Sequence, residues 1–275
     1  MALFDTYGLS LLMGAAVGFV LALTGAGGGI LAVPLLVFGL HLQMADAAPI
    51  GLLAVGLAAA IGALLGLRDG IVRYRAALLI GTTGMLLAPL GVRLGRSLPN
   101  APLMAAFALV LAWVAWRSFH QSGKAACASP TGQPHLCAMN AATGRLTLRA
   151  PCVLALAGTG ALSGLLSGLL GVGGGFVIVP MLSRISDVTM RGIVATSLAV
   201  IALVSVGGVA GAATQGGMAW SVALPFAAGA VLALLAGRRV SARLAGPRLQ
   251  QAFGAVAGGV ALLLLLRAVR MLAGG

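Results

Sequence analysis

The chain of 275 residues is 60% hydrophobic and only 8% charged, where a soluble domain of that length carries about a quarter charged residues. That balance excludes an ordinary water-soluble domain, and apolar runs near the ~20 residues that cross a bilayer as a helix exclude a membrane barrel, whose segments alternate over ~10 residues. The net charge of +13 does not point to nucleic acid, because the basic residues fall in short loops between apolar runs, without interleaved aromatics, where they orient spans.

In chain order, residues 1–10 lack a basic n-region and read as mature sequence, not as a cleavable leader. The apolar run 11–23 then enters a glycine cluster, Thr24, Gly25, Ala26, Gly27, Gly28, Gly29 and Ile30, followed by Pro34. Glycine and proline both weaken helices. Inside a bilayer such an interruption is tolerated only where protein or a water-filled cavity surrounds it. Three uninterrupted apolar runs follow, at 48–67, 76–92 and 102–116. Residues 118–149 are polar and rich in small residues, and read as a linker. Cys127, His135 and Cys137 in that linker are too few and too loosely spaced to predict a metal site.

After the linker the pattern starts again. The run 153–170 leads into Gly171, Val172, Gly173, Gly174, Gly175 and Phe176, with Pro180 beyond, and runs at 194–213, 222–236 and 253–266 complete the chain. Every residue of the second cluster lies 146 positions after its counterpart, as Pro180 does after Pro34. The same offset aligns Gly18 with Gly164, Met44 with Met190, Leu52 with Leu198, Gly91 with Gly237, Arg93 with Arg239 and Phe107 with Phe253. The chain therefore reads as two homologous membrane repeats, 1–117 and 150–275, joined by 118–149.

Two arguments make each interrupted segment a re-entrant hairpin. The arms 11–23 and 27–38 hold 13 and 12 residues. At ~1.5 Å per residue each is about 18–20 Å long, short of a ~30 Å hydrocarbon core. The second argument is charge. If both interrupted segments cross fully, the 17 Lys and Arg residues divide nine against eight. With both re-entrant, only Arg93, Arg96, Arg267 and Arg270 lie on one side and thirteen on the other, a clear positive-inside signal. The expected fold is thus all-α and polytopic, each half a glycine-broken hairpin plus three transmembrane helices. Three crossings per half make the repeats inverted. Both termini are then outside and the linker is cytoplasmic, in the cell (inner) membrane.

The duplicated GxGGG-x4-P after an apolar helix, with further spans and a central loop, resembles the TauE/SafE family of sulfite exporter-like membrane permeases. The resemblance covers nearly the whole chain. It implies transport of a small sulfur-containing anion such as sulfite or an organosulfonate, with export the leading direction and uptake the alternative. It also implies no enzymatic activity and no cofactor. Ala195, Thr196, Ser197 and Leu198 resemble the family's recurrent Thr-Ser element, whereas the aligned Pro49, Ile50, Gly51 and Leu52 lack the hydroxyl pair.

A helix break frees backbone N–H groups, and the start of the following arm carries partial positive charge. Glycine lets an anion approach those donors. The expected substrate contacts are Thr24, Gly25, Gly27, Gly28, Gly29, Gly171, Gly173, Gly174, Gly175, Thr196 and Ser197, with Thr82 and Thr83 behind them. Pro34 and Pro180 serve as structural helix breaks, and Asp46 reads as a helix N-cap. The alternative role for the glycines is close helix packing. The four aspartates, with no glutamate, all lie away from the centres of the apolar runs, which argues against a carboxylate proton relay. An intramembrane enzyme would need a base beside Ser163, Ser167 or Ser205, and no histidine or carboxylate is placed to serve. The partners expected are the small anion and the lipid bilayer, with no nucleic acid.

Overall fold

A computed structural model describes residues 2–25, 28–122, 150–185, 189–214, 218–244 and 247–273. Among them there is no strand. The first half contains α1 (Ala2–Thr24), a short 3-10 turn (Gly28–Leu31), α2 (Ala32–Gly39), α3 (Met44–Arg68), α4 (Tyr74–Ser97) and α5 (Asn100–Ser122). The second contains α6 (Ala150–Leu170), α7 (Gly175–Ile185), α8 (Met190–Ala213), α9 (Trp220–Leu244) and α10 (Pro247–Ala273). All six uninterrupted apolar runs lie within helices, as does the run 153–170 that leads into the second cluster. Tyr7–Thr24, Met44–Arg68, Tyr74–Ser97, Ala150–Leu170, Arg191–Ala213 and Trp220–Arg239 are each long and apolar enough to cross a bilayer.

Local chemistry explains the ends. α3 starts after the extended Gln43, and Asp46 falls in its first turn instead of capping it. There the carboxylate complements the positive end of the helix dipole. At its other end Gly70 adopts φ +67 and the Ile71 N–H returns to the Gly66 carbonyl at 3.1 Å, a Schellman closure. Thr189 caps α8 by accepting from the Gly192 N–H. α5 continues to Ser122, into the segment read as linker. Residues 123–149, which include Cys127, His135 and Cys137, lie outside the described residues.

One expectation needs correction. The arm before the first cluster is not 13 residues long, since α1 has 23 residues and its counterpart α6 has 21. At ~1.5 Å per residue these are about 34 and 31 Å, enough to span. α1 already runs from Ala2, ahead of the apolar run taken as the arm. The returning arms are short as expected, 11 residues in α7 and 8 in α2 after its 3-10 turn.

The most extensive contacts join one half to the other: α1 with α9, α4 with α6, α5 with α10, and α3 and α4 with α8. Glycines make these approaches close. A Cβ on Gly14 would lie 2.9 Å from the Phe226 Cα, and one on Gly18 would lie 2.7 Å from the Ala230 Cα. On the other side, Gly160 stands to Ile80 (2.9 Å) and Gly164 to Gly84 (2.5 Å) in the same way. These are the first two contacts shifted by 146 and exchanged between halves. Both pairs run in the same direction. α3 and α8 instead run in opposite directions, since Leu52 meets Gly208, Gly62 meets Leu198 and Gly66 meets Ala195.

Between apolar helices in lipid there is no hydrophobic driving force, so dispersion at close range holds the pairs together. The core lies along α3 and α8, with Val55, Ala58, Ile201 and Val204 fully buried. Leu12, Leu86, Leu154 and Leu232 point outward and are more than half exposed, as a lipid-facing surface requires.

Replacing Gly18 or Gly164 by Leu should force its helix pair apart at a cost of about 1–3 kcal/mol or more. Size-exclusion profiles and melting temperatures in detergent should deteriorate for both. Gly259→Leu, at a site with nothing within 4 Å of a Cβ, should behave as the parent protein.

Candidate functional site

Each glycine cluster ends one helix and turns the chain back along it. α1 closes with the Gly25 N–H donating to the Leu21 carbonyl at 2.8 Å, and Gly25 takes φ +76. Gly28 then lies on the Leu21 backbone, where an added Cβ would be 2.5 Å from the Leu21 Cα, and Gly39 reaches Met13. The 3-10 turn and α2 therefore return along α1. In the second copy the Gly171 N–H donates to the Ser167 carbonyl at 2.8 Å, and Gly171, Gly173 and Gly174 have φ of +72, +78 and +70. A residue with a side chain is strained in that region. Gly174 lies against Ser163, so this copy also folds back, but α7 starts directly at Gly175 with no 3-10 turn.

The two tips touch. A Cβ on Gly29 would be 2.7 Å from the Val172 carbonyl oxygen and 3.0 Å from Val55 Cγ1. One on Gly173 would be 3.4 Å from the same Val55 atom and 2.9 Å from Ile201 Cγ2. Val55 and Ile201 are counterparts at the 146 offset, each the twelfth residue of its helix. The tips thus meet beside the midpoints of the two central helices. Gly25, Gly28, Gly29, Gly171, Gly173, Gly174 and Gly175 are all buried; Gly27 lies outside the described residues. Pro34 is buried in the first turn of α2, where a missing N–H is least costly. Pro180 is the sixth residue of α7 and half-buried.

The site has no charged side chain of its own, so its polarity comes from backbone and hydroxyls. At the second tip the Val177 and Ile178 N–H groups converge on the Gly174 carbonyl at 3.0 and 3.3 Å. Among the described residues, no acceptor pairs with the N–H groups of Val172 to Phe176. Those donors lead into the start of α7 and its positive dipole end. This arrangement suits an anion, provided water or ligand satisfies the donors in the enclosed site.

The hydroxyls singled out in the sequence are already engaged. Thr24 donates to the Val20 carbonyl at 2.8 Å, and Ser197 to Val194 at 2.8 Å. Thr196 donates to Gly192 at 2.6 Å and accepts the Arg73 N–H at 3.0 Å, tying the loop before α4 to α8. Each must rotate away from a carbonyl before it can donate elsewhere. Thr82 is exposed, and Thr83 packs against Gly160 on α6, so neither stands at the tips. The hydroxyl nearest Gly174 belongs to Ser163, which the sequence reading weighed only as a nucleophile. Its four-residue spacing from Thr159 and Ser167 was the available signal.

The family model "Sulfite exporter TauE/SafE" matches residues 10–264. Two "Probable membrane transporter protein" sequences from Xylella fastidiosa are similar over nearly their whole length. The Temecula1 strain's protein is 27% identical across 92% of this chain and 93% of its own. The 9a5c strain's protein is 28% identical with the same coverage of 92% and 93%. No solved structure matches the chain.

Gly174→Ala should cost about 1–2 kcal/mol through left-handed strain, with further cost from the Ser163 contact. Gly28→Ala should also destabilise, through collision with the Leu21 backbone alone. Gly158→Ala, with open space around it, is the control. Apparent melting temperatures in detergent should fall for the first two and hold for the third.

Proposed function

Because the chain belongs to the TauE/SafE family, we propose that this multi-pass membrane transporter moves a small sulfur-containing anion, such as sulfite or an organosulfonate, out of the cell. Transport proceeds by alternating access at the interface of the two repeats. The observation that carries this reading is the meeting of two backbone-broken tips beside Val55 and Ile201. They offer neutral donors at the centre of the bundle and no carboxylate that would repel an anion.

The inverted, re-entrant arrangement draws support from three contacts. Counterparts α3 and α8 run in opposite directions past each other, as a pseudo-twofold axis across the helices would place them. The Arg238 guanidinium lies 3.5 Å from the Asp69 carboxylate, so the loop after α3 and the end of α9 share one end of the bundle. Four full crossings per half would separate them. Arg267 stands 5.7 Å from the Phe38 ring, which brings the end of the first returning arm to the end of α10. On this reading the thirteen basic residues and the linker 118–149 are cytoplasmic, and both termini are outside the inner membrane.

Voltage then sets direction. An inside-negative potential favours anion exit by ~2.3 kcal/mol per charge per 100 mV, and the absence of acidic residues from span centres leaves export without a carboxylate relay.

Purified protein in liposomes should release sulfite or a sulfonate faster when the lumen is made negative. Flux unaffected by voltage would remove the proposed driving force, and net accumulation under the same voltage would favour uptake. Asp69→Cys and Arg238→Cys, made as separate variants, should each react with an impermeant maleimide only from the cytoplasmic side. Labelling of either cysteine from outside would overturn the orientation.

A further inference from the structure

The two tips are chemically unequal. Along α6, Thr159, Ser163 and Ser167 follow at four-residue spacing and so share a face. All three are buried, Ser163 and Ser167 completely. Their counterparts 146 positions earlier on α1 are Met13, Val17 and Leu21. The second tip folds back over the hydroxyl face, bringing Gly174 against Ser163, whose Oγ reaches the Gly174 carbonyl only at 3.4 Å. Ser167 lies between Ser163 and the turn, one helical turn nearer the tip, and its carbonyl receives the Gly171 N–H. Its Oγ is fully buried and has no hydrogen-bond partner.

A buried hydroxyl without a partner is uncommon, because desolvation is not compensated. It shares a helix face with Ser163, which meets Gly174, and it lies one helical turn before the N–H groups of Val172 to Phe176, which also lack acceptors among the described residues. Donors from the end of α6 and from the start of α7 therefore flank the same turn of chain. At the first tip the corresponding face of α1 is methionine, valine and leucine.

We infer that the anion is seated on the second tip alone, with Ser163 and Ser167 as hydroxyl donors opposite the amides of Val172 to Phe176, and the first tip closing over it as an apolar wall. This seat rests on the transport reading above and says which half holds the ligand. A compact oxyanion with several oxygens matches donors arriving from two sides. Because the donors are neutral, binding remains weak enough for release, as turnover requires.

The test is a Ser163→Ala/Ser167→Ala double variant beside the parent protein. Sulfite, sulfate and a short alkylsulfonate are the probes, read by ligand-dependent melting shift in detergent and by KM for flux in liposomes. Ser167 has no partner to lose, so Ser167→Ala alone should leave the ligand-free melting temperature unchanged or higher. The double variant should lose the ligand-dependent shift and raise KM at least tenfold. Parent-like shift and KM in the double variant would overturn the seat while leaving the transport reading intact. A lower ligand-free melting temperature with unchanged KM would assign these serines to packing and overturn it too. If the parent responds to none of the three anions, both the seat and the sulfur-anion reading fail.

Discussion

Backbone that leaves a helix within an apolar medium must be enclosed by protein, because no solvent there can satisfy its N–H and C=O groups. Most of this architecture follows from meeting that demand twice. Gly25 and Gly171 end their helices in the left-handed region, which lets each chain reverse within a few residues. α3 and α8 then pack on the turns, with Val55 and Ile201 against their glycines. The most enclosed helices are those that cover the breaks.

Enclosure depends on exchange between the halves. The first broken helix, α1, packs along α9 of the second half, and α6 along α4 of the first. At both seams glycine allows backbone to approach backbone, which compensates for the missing hydrophobic drive in lipid. Each half packs its own returning arm, while the broken helix itself is held by the other half. The glycine seams join the two halves along these helices.

The duplication supplies symmetry of backbone but not of chemistry. Gly28–Leu31 forms a 3-10 turn where the second copy enters α7 directly. Hydroxyls on α6 replace the apolar residues of α1, and the Arg238–Asp69 pair has no equivalent at Val92, the counterpart of Arg238. Two similar scaffolds thus present one polar and one apolar face to a common centre.

Much of this was legible in the sequence, and the limits are instructive. Apolar length identified the spans and glycine identified the breaks, because both act within a few residues of themselves, whereas Pro34 and Pro180 lie within α2 and α7. A strict 146-residue offset revealed the repeat, and two GxGGG clusters carried the family. The length of α1 was misread because only the apolar run from residue 11 was counted, whereas the helix starts at Ala2. Thr196 was read as a ligand donor, yet its hydroxyl links Gly192 to the Arg73 backbone. By itself the sequence determined the helices and their breaks, since these rest on local periodicity and backbone restriction. Only the tertiary structure decided that the tips touch, that each broken helix is held by the opposite half, and that Ser163 and Ser167 lie beneath the second turn. Those relations depend on close approach between residues more than a hundred positions apart, or on the direction of a reversal, and neither leaves a periodic trace in the chain.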